Sequence, residues 1–169
     1  MPLSGTLLAV SAYAELTQSL DLGASRAPQS LSRKMSLASG TGVGKADRVF
    51  SDRRTLAASA TEDLDLAGVL LDAFGAAITF ARVKGIIVAA AAGNTNNVVL
   101  GAATTNAWAT LLNATGTVTL RPGAFLAVGT GQADTGYAVT AGTGDLLKVA
   151  NSGAGTPVTY DIHIIGASA

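Results

Sequence analysis

The chain contains no cysteine. That excludes a disulfide framework, a thiol nucleophile and a thiolate metal site. It has a single histidine, His163, so a multi-histidine zinc site is excluded, and any Ser-His-Asp arrangement would depend on that one position. Aromatic residues make up 5% of the sequence, and Trp108 is the only tryptophan. Charged residues make up 13%, well below the roughly 25% usual in soluble domains. The formal net charge is zero, so nothing draws the chain as a whole toward nucleic acid or a membrane surface. The most apolar run, Ile86 to Ala92, is far shorter than the roughly 20 residues a membrane-spanning helix needs. The opening segment MPLSGTLLAV has no basic n-region, so the expectation is a soluble protein made in the cytoplasm.

What is present is apolar and small. Hydrophobic residues reach 49% of 169 residues, much of it Ala, Val and Leu, enough for one compact domain with a sizeable core. A weakly charged, apolar chain with no net charge tends to associate. The composition therefore points to an oligomer whose surface is largely covered by partner subunits. The alternative is a small-residue-rich sandwich with many turns.

Glycine, serine, threonine and asparagine punctuate the chain at short intervals, in Ser39–Gly44, Gly93–Asn97, Gly129–Gly131, Gly142–Gly144 and Asn151–Gly155. These residue types accept turn conformations, and the runs between them have strand length and β-branched content. In Val158–Ile165, Val158, Tyr160, Ile162 and Ile164 alternate with Thr159, Asp161 and His163, the period of a strand with one buried face. With Leu146–Ala150 before it, this segment predicts a C-terminal antiparallel hairpin. Thr117–Leu120 and Ala124–Val128 flank an Arg-Pro-Gly turn. Ile78–Lys84 is expected to run on into Gly85–Val88 as a central strand. Gln29–Leu37 also alternates, but Arg33 interrupts its apolar face, so that strand is expected to meet a partner or solvent on both sides. Leu66, Leu70 and Phe74 have helical spacing. The favoured reading is nonetheless a strand at Asp63–Leu66 and a turn at Asp72–Gly75, with a possible helical turn at Asn106–Leu112. The fold class expected is all-β: an antiparallel sandwich or jelly roll with an extended N-terminal region. Residues 1–45 would form an arm or first strands, and residues 46–169 the sandwich.

Candidate chemistry is thin. Ser39-Gly40-Thr41-Gly42-Val43-Gly44-Lys45-Ala46 resembles a phosphate loop, but Ser39 stands where the pattern needs glycine and Ala46 has no hydroxyl for magnesium. The following Asp47–Phe50 reads extended, so a connecting loop is expected. Glu62, Asp63 and Asp65 could be a carboxylate pair for glycoside hydrolysis or a calcium site, but the aromatics of a sugar cleft and the spaced ligands of a calcium loop are missing. Asn113-Ala114-Thr115 matches a glycosylation sequon, which carries little weight without a secretion signal. No enzyme activity and no cofactor are expected.

Charge is unevenly spread. Residues 26 to 54 hold seven of the eleven basic residues, followed by acidic Glu62, Asp63, Asp65 and Asp72. Arg26, Arg33, Lys34, Arg53 and Arg54 are the candidate partner contacts. Without interleaved aromatics they do not suggest nucleic acid. Two ordinary solvated faces are the alternative reading.

The series Lys45–Leu56, Glu62–Leu66, Asp72–Gly75 and Ile78–Lys84 resembles small virion proteins of tailed phages and prophages. Gly136–Leu147, Asn151–Gly155 and Tyr160–Ile162 look like the same group. The resemblance implies a jelly-roll-like capsid decoration, or cement, protein on the virion surface. Such proteins commonly form trimers and bridge subunits of the major capsid protein. A tail, fibre or head–tail component is the alternative. So is a glycan-binding sandwich using Trp108 with Tyr137 or Tyr160 as a stacking platform.

Overall fold

The structure is a computed structural model, described here for residues 3–169. Its elements are, in chain order, β1 (Thr6–Leu20), β2 (Gly23–Ser39), β3 (Lys45–Ala46), β4 (Arg48–Leu56), β5 (Thr61–Asp65), β6 (Leu70–Leu71), β7 (Ala77–Ile78), β8 (Arg82–Ala90), β9 (Val98–Gly101), α1 (Ala109–Leu112), β10 (Thr117–Leu120), β11 (Phe125–Gly129), β12 (Tyr137–Ala138), β13 (Leu146–Asn151) and β14 (Val158–Ala167). The chain is therefore nearly all β, and its body is an antiparallel sandwich.

One sheet has the order β11-β8-β14-β4, with β12 also paired to β8; the facing sheet has the order β10-β9-β13-β5. The logic is four nested pairs. β4 pairs with β14, β5 with β13, β8 with β11 and β9 with β10, all antiparallel. Two further pairings, β14 with β8 and β13 with β9, roll that long double ribbon into two layers. This is the jelly-roll order, in which successive main strands pass from sheet to sheet except at the β9–β10 turn.

That alternation corrects the expected C-terminal hairpin. β13 and β14 do not pair with each other; they lie in opposite sheets, joined by a crossing loop. The Asn-Ser-Gly turn signal is real, but the chain there crosses over the edge of the sandwich. Asn151 closes the crossing, its amide donating to the carbonyls of Ala57 (3.0 Å) and Thr156 (2.8 Å). The strand expected from Ile78 through Val88 is also interrupted, because β7 ends at Ile78 and β8 begins at Arg82. Phe80 turns into the core in between, its N–H bonded to the Leu66 carbonyl at 2.8 Å. Asp63–Leu66 is largely strand and Asp72–Gly75 a turn, capped by the Asp72 carboxylate accepting from the N–H groups of Phe74 and Ala76. The helical turn near Asn106–Leu112 is α1.

The core lies between the two sheets. Phe50, Ile86, Val88, Ile162 and Ile164 point inward from one sheet and Leu64, Val98, Leu100, Leu147 and Val149 from the other. Burying such side chains stabilises the fold by roughly 1.5–3 kcal/mol each. Tyr160 is buried among them. Its hydroxyl donates to Glu62 Oε1 at 2.6 Å, and Arg54 Nη1 donates to Glu62 Oε2 at 2.7 Å, which joins the two sheets at one edge. Burial and the Glu62 hydrogen bond raise the Tyr160 pKa, so the hydroxyl stays a donor at any physiological pH.

β1 and β2 are separate from this scheme. They form one long antiparallel ribbon, paired from Thr6↔Leu37 to Leu20↔Gly23 around the Asp21-Leu22 turn. Most of the ribbon is solvent-exposed on both sides.

Candidate functional site

The ribbon's two faces differ chemically. Directly paired residues share a face, so the register assigns each side. One face carries Leu8, Val10, Ala12, Ala14, Leu16, Gln18 and Leu20 from β1, with Met35, Arg33, Leu31, Gln29, Ala27 and Ser25 from β2, so it is mainly apolar but broken by four polar residues. The other carries Ala9, Ser11, Tyr13, Glu15, Thr17 and Ser19, with Lys34, Ser32, Ser30, Pro28, Arg26 and Ala24, and is mainly polar. The sequence pattern is that of a strand pair with one buried side, yet only the root of the apolar face is covered. Leu8 and Met35 are buried, whereas Leu16, Leu20 and Leu31 are 68%, 53% and 57% exposed.

The root packs on the outer face of the five-stranded sheet. Leu8, Met35, Leu37, Ala46 and Ile165 form a second small core there, with Val49 and Ile87 at its rim. Two glycines make the space. A Cβ on Gly129 would stand 2.7 Å from Leu8 Cδ2; one on Gly85 would stand 3.2 Å from the same atom and 3.3 Å from Met35 Cε. Gly85 and Gly129 pair across β8 and β11, so together they form a shallow seat. Thr130 Oγ1 adds a contact to Met35 Sδ at 3.7 Å.

The loop from arm to body is the segment that resembles a phosphate loop. Strands β3 and β4 follow it rather than a helix, so it lacks the helix N-terminus that would bind phosphate. Its backbone bonds are internal: Ala38 N–H to Gly44 O, Gly40 N–H to Ala46 O, and Lys45 N–H to Gly42 O. Buried Lys84 donates from Nζ to the Gly42 carbonyl. Burial pushes the Lys84 pKa down, opposed by Asp134 and Asp47. The lysine that matters here thus comes from the body and fastens the loop.

Beyond the root, the outer sheet face continues as a flat floor. Ser51, His163, Ile87 and Ala127 form one cross-strand row, and Arg53, Asp161, Ala89 and Phe125 the next. Phe125 is 66% exposed. Arg53 grips Asp161 through two bonds of 2.6 and 2.8 Å, holding the Asp161 carboxyl below its usual range. Partial burial lowers the His163 pKa.

The five expected contact residues do not form one patch. Arg26 lies toward the ribbon tip on its polar face, 3.2 Å from Glu15. Lys34 shares that face, while Arg33 lies on the apolar one. Arg53 faces outward on β4. Arg54 turns the other way, to Glu62 and Asp52 and over the Phe50 ring at 5.7 Å. The aromatics proposed for sugar stacking are structural. Trp108 is buried, with Nε1 donating to the Ala138 carbonyl at 2.8 Å and its ring edge-on to Tyr137, and Tyr160 is wholly buried. Glu62 is committed to Tyr160 and Arg54, while Asp65 accepts the Ala67 N–H. Among the described residues no group of three or more His, Asp or Glu side chains is placed to hold a metal ion, and no helix is long and apolar enough to cross a membrane.

Sequence reasoning missed β1. Its signal is present, as Leu8, Val10, Leu16 and Leu20 fall on even positions, but Ala, Ser and Thr dilute it. Compared with protein-family models, curated proteins and solved structures, the chain matches none.

Proposed function

We propose that the chain is a non-enzymatic structural subunit of a tailed-phage particle, a decoration or cement protein that binds and stabilises a shell of major capsid protein. The observation that carries the assembly role is the ribbon. Such an arm presents apolar side chains along one face with nothing of its own chain to cover them beyond the root residues Leu8, Met35 and Leu37. An isolated two-stranded ribbon is marginal in water, so an arm of this length gains its stability from a partner. The sandwich body, the low charge and the resemblance of Lys45–Lys84 to tailed-phage virion proteins support the particle setting. Cementing needs no reaction: a subunit that binds only the assembled shell stabilises that state by mass action, repeated over many copies.

Shell contact is assigned to the polar side of the arm. Lys34 and Arg26 lie there, and attachment through them to an acidic capsid surface weakens as salt rises. The experiment is copy number and location in intact particles, by quantitative mass spectrometry with imaging. Hundreds of copies over the head support the proposal. A handful at one vertex indicates a tail or connector part instead, and absence from particles overturns the virion reading.

A further inference from the structure

We infer that the uncovered apolar face of the arm binds a second copy of this chain, lying on the outer face of that copy's five-stranded sheet beside the copy's own arm root. The inference deepens the assembly reading above and rests on it, but not on the identity of the particle.

Three observations lead to the second copy. The first is continuity. The molecule already packs this ribbon face on this sheet face, where Leu8 and Met35 sit on Gly85 and Gly129. Both surfaces then continue past the contact and diverge, the ribbon through Leu31 and Leu16, the floor from Ile87 at the rim of the contact through Ala127 to exposed Phe125. The crevice lined by Val10, Arg33, Ala127 and Gln132 marks where the arm leaves its own sheet over β11.

The second observation is extent. From Val10 to Leu20 the ribbon spans about 35 Å at the usual strand rise, and with two strands it is about 10 Å wide. Each copy both donates an arm and receives one, so its contact covers on the order of 700 Å², close to the roughly 800 Å² per partner of a stable interface. An arm laid on a foreign surface without reciprocity covers about half of that.

The third is charge. Arg33 is the only charged residue on the arm's apolar face between Val10 and Leu20, and Asp161 is the only carboxylate on the floor. Asp161 is exposed and holds Arg53, so an arriving Arg33 completes a small ion network. Because arm and floor are different surfaces, two copies that exchange arms make a two-fold pair, whereas arms passed on in one direction make a ring where the rotation closes.

The test is the oligomeric state of the full chain, by light scattering on a sizing column and by native mass spectrometry. Wild type is expected to be a closed oligomer. Leu16→Asp with Leu31→Asp on the arm, and separately Phe125→Asp or Ala89→Arg on the floor, are each expected to weaken association about tenfold or more. Circular dichroism and a wild-type-like melt show that each variant is folded; Leu16, Leu31 and Phe125 are exposed, so the body does not depend on them. An equal mixture of arm and floor variants is expected to form more heterodimer than either variant forms dimer alone, but less than wild type, since one of its two arm–floor contacts is intact. A monomeric wild type at tens of micromolar overturns the inference and leaves the particle reading standing. Oligomers that tolerate the floor variants overturn it in favour of arm-on-arm packing. Absence from particles with arm exchange intact defeats the particle reading alone.

Discussion

The ribbon β1–β2 and the strand β14 are written in the same code and meet opposite fates. Both alternate apolar and polar residues along their length. In β14 the apolar side, Val158, Tyr160, Ile162 and Ile164, is buried under a facing sheet. In the ribbon, Val10, Leu16, Leu20 and Leu31 are exposed. Alternation specifies which side of a strand is apolar, not which surface covers it. In the body that surface comes from the same chain; in the arm nothing of the chain supplies it beyond the root.

Substitutions separate the two regions by the size of their effect. The largest is expected in the body: Ile162→Ala removes a buried side chain between the sheets and should cost about 2–5 kcal/mol in chemical denaturation. Leu16→Ala, the same kind of truncation on the arm, should change monomer stability by less than about 0.5 kcal/mol. Equal losses would break the comparison, because the arm would then belong to the cooperative body.

Where the regions meet, Gly129→Val places a Cβ 2.7 Å from Leu8 Cδ2 and should cost about 1–3 kcal/mol. Its clearer reading is local: amide exchange and proteolysis should rise in the arm while the body stays protected. Next is Tyr160→Phe, which removes the donor to Glu62 Oε1 at the edge joining the sheets, with an expected loss of about 1.5 kcal/mol.

The smallest effect is on pH. Folding lowers the His163 pKa through desolvation, so its contribution to stability is fully present above its ordinary value near 6.5 and is lost as pH falls through the lower folded value. The midpoint of melting should fall slightly between neutral and mildly acidic pH, and His163→Gln should flatten that segment. Because His163 lies on the floor, one row from the Arg53–Asp161 pair, association should show the same sign.

Much of the sandwich was legible. Val158–Ile165 shows its buried face by alternation alone, and the glycine- and asparagine-rich stretches fall largely in turns. Strand partners were not legible. Leu146–Ala150 and Val158–Ile165 are separated by a good turn and look like a hairpin, yet a rolled double ribbon sends neighbours to opposite sheets and pairs β14 with the distant β4. Periodicity is local, whereas pairing depends on sequence separations of around a hundred residues. At the candidate site, Arg33 interrupting the Gln29–Leu37 alternation was readable as a strand that meets a partner or solvent on both sides, and most of that strand is exposed. The basic residues were not readable as a group. Arg53 and Arg54 are adjacent in sequence, but successive strand residues point to opposite faces, one toward Asp161 and the other toward Glu62.

The pairing of β4 with β14 also sets an order of events. Asp161 closes on Arg53 only when β14 is available, so during synthesis this pairing waits for the 108 residues that separate the two. Pairings this distant fold in milliseconds to seconds, whereas a hairpin closes in about 1–10 μs. The arm's two strands precede those of the sandwich and meet across a short turn. A nascent chain therefore carries the ribbon before it has a body to root it, and the Ala, Ser and Thr that dilute the ribbon's apolar face lower the apolar surface it exposes in the interval.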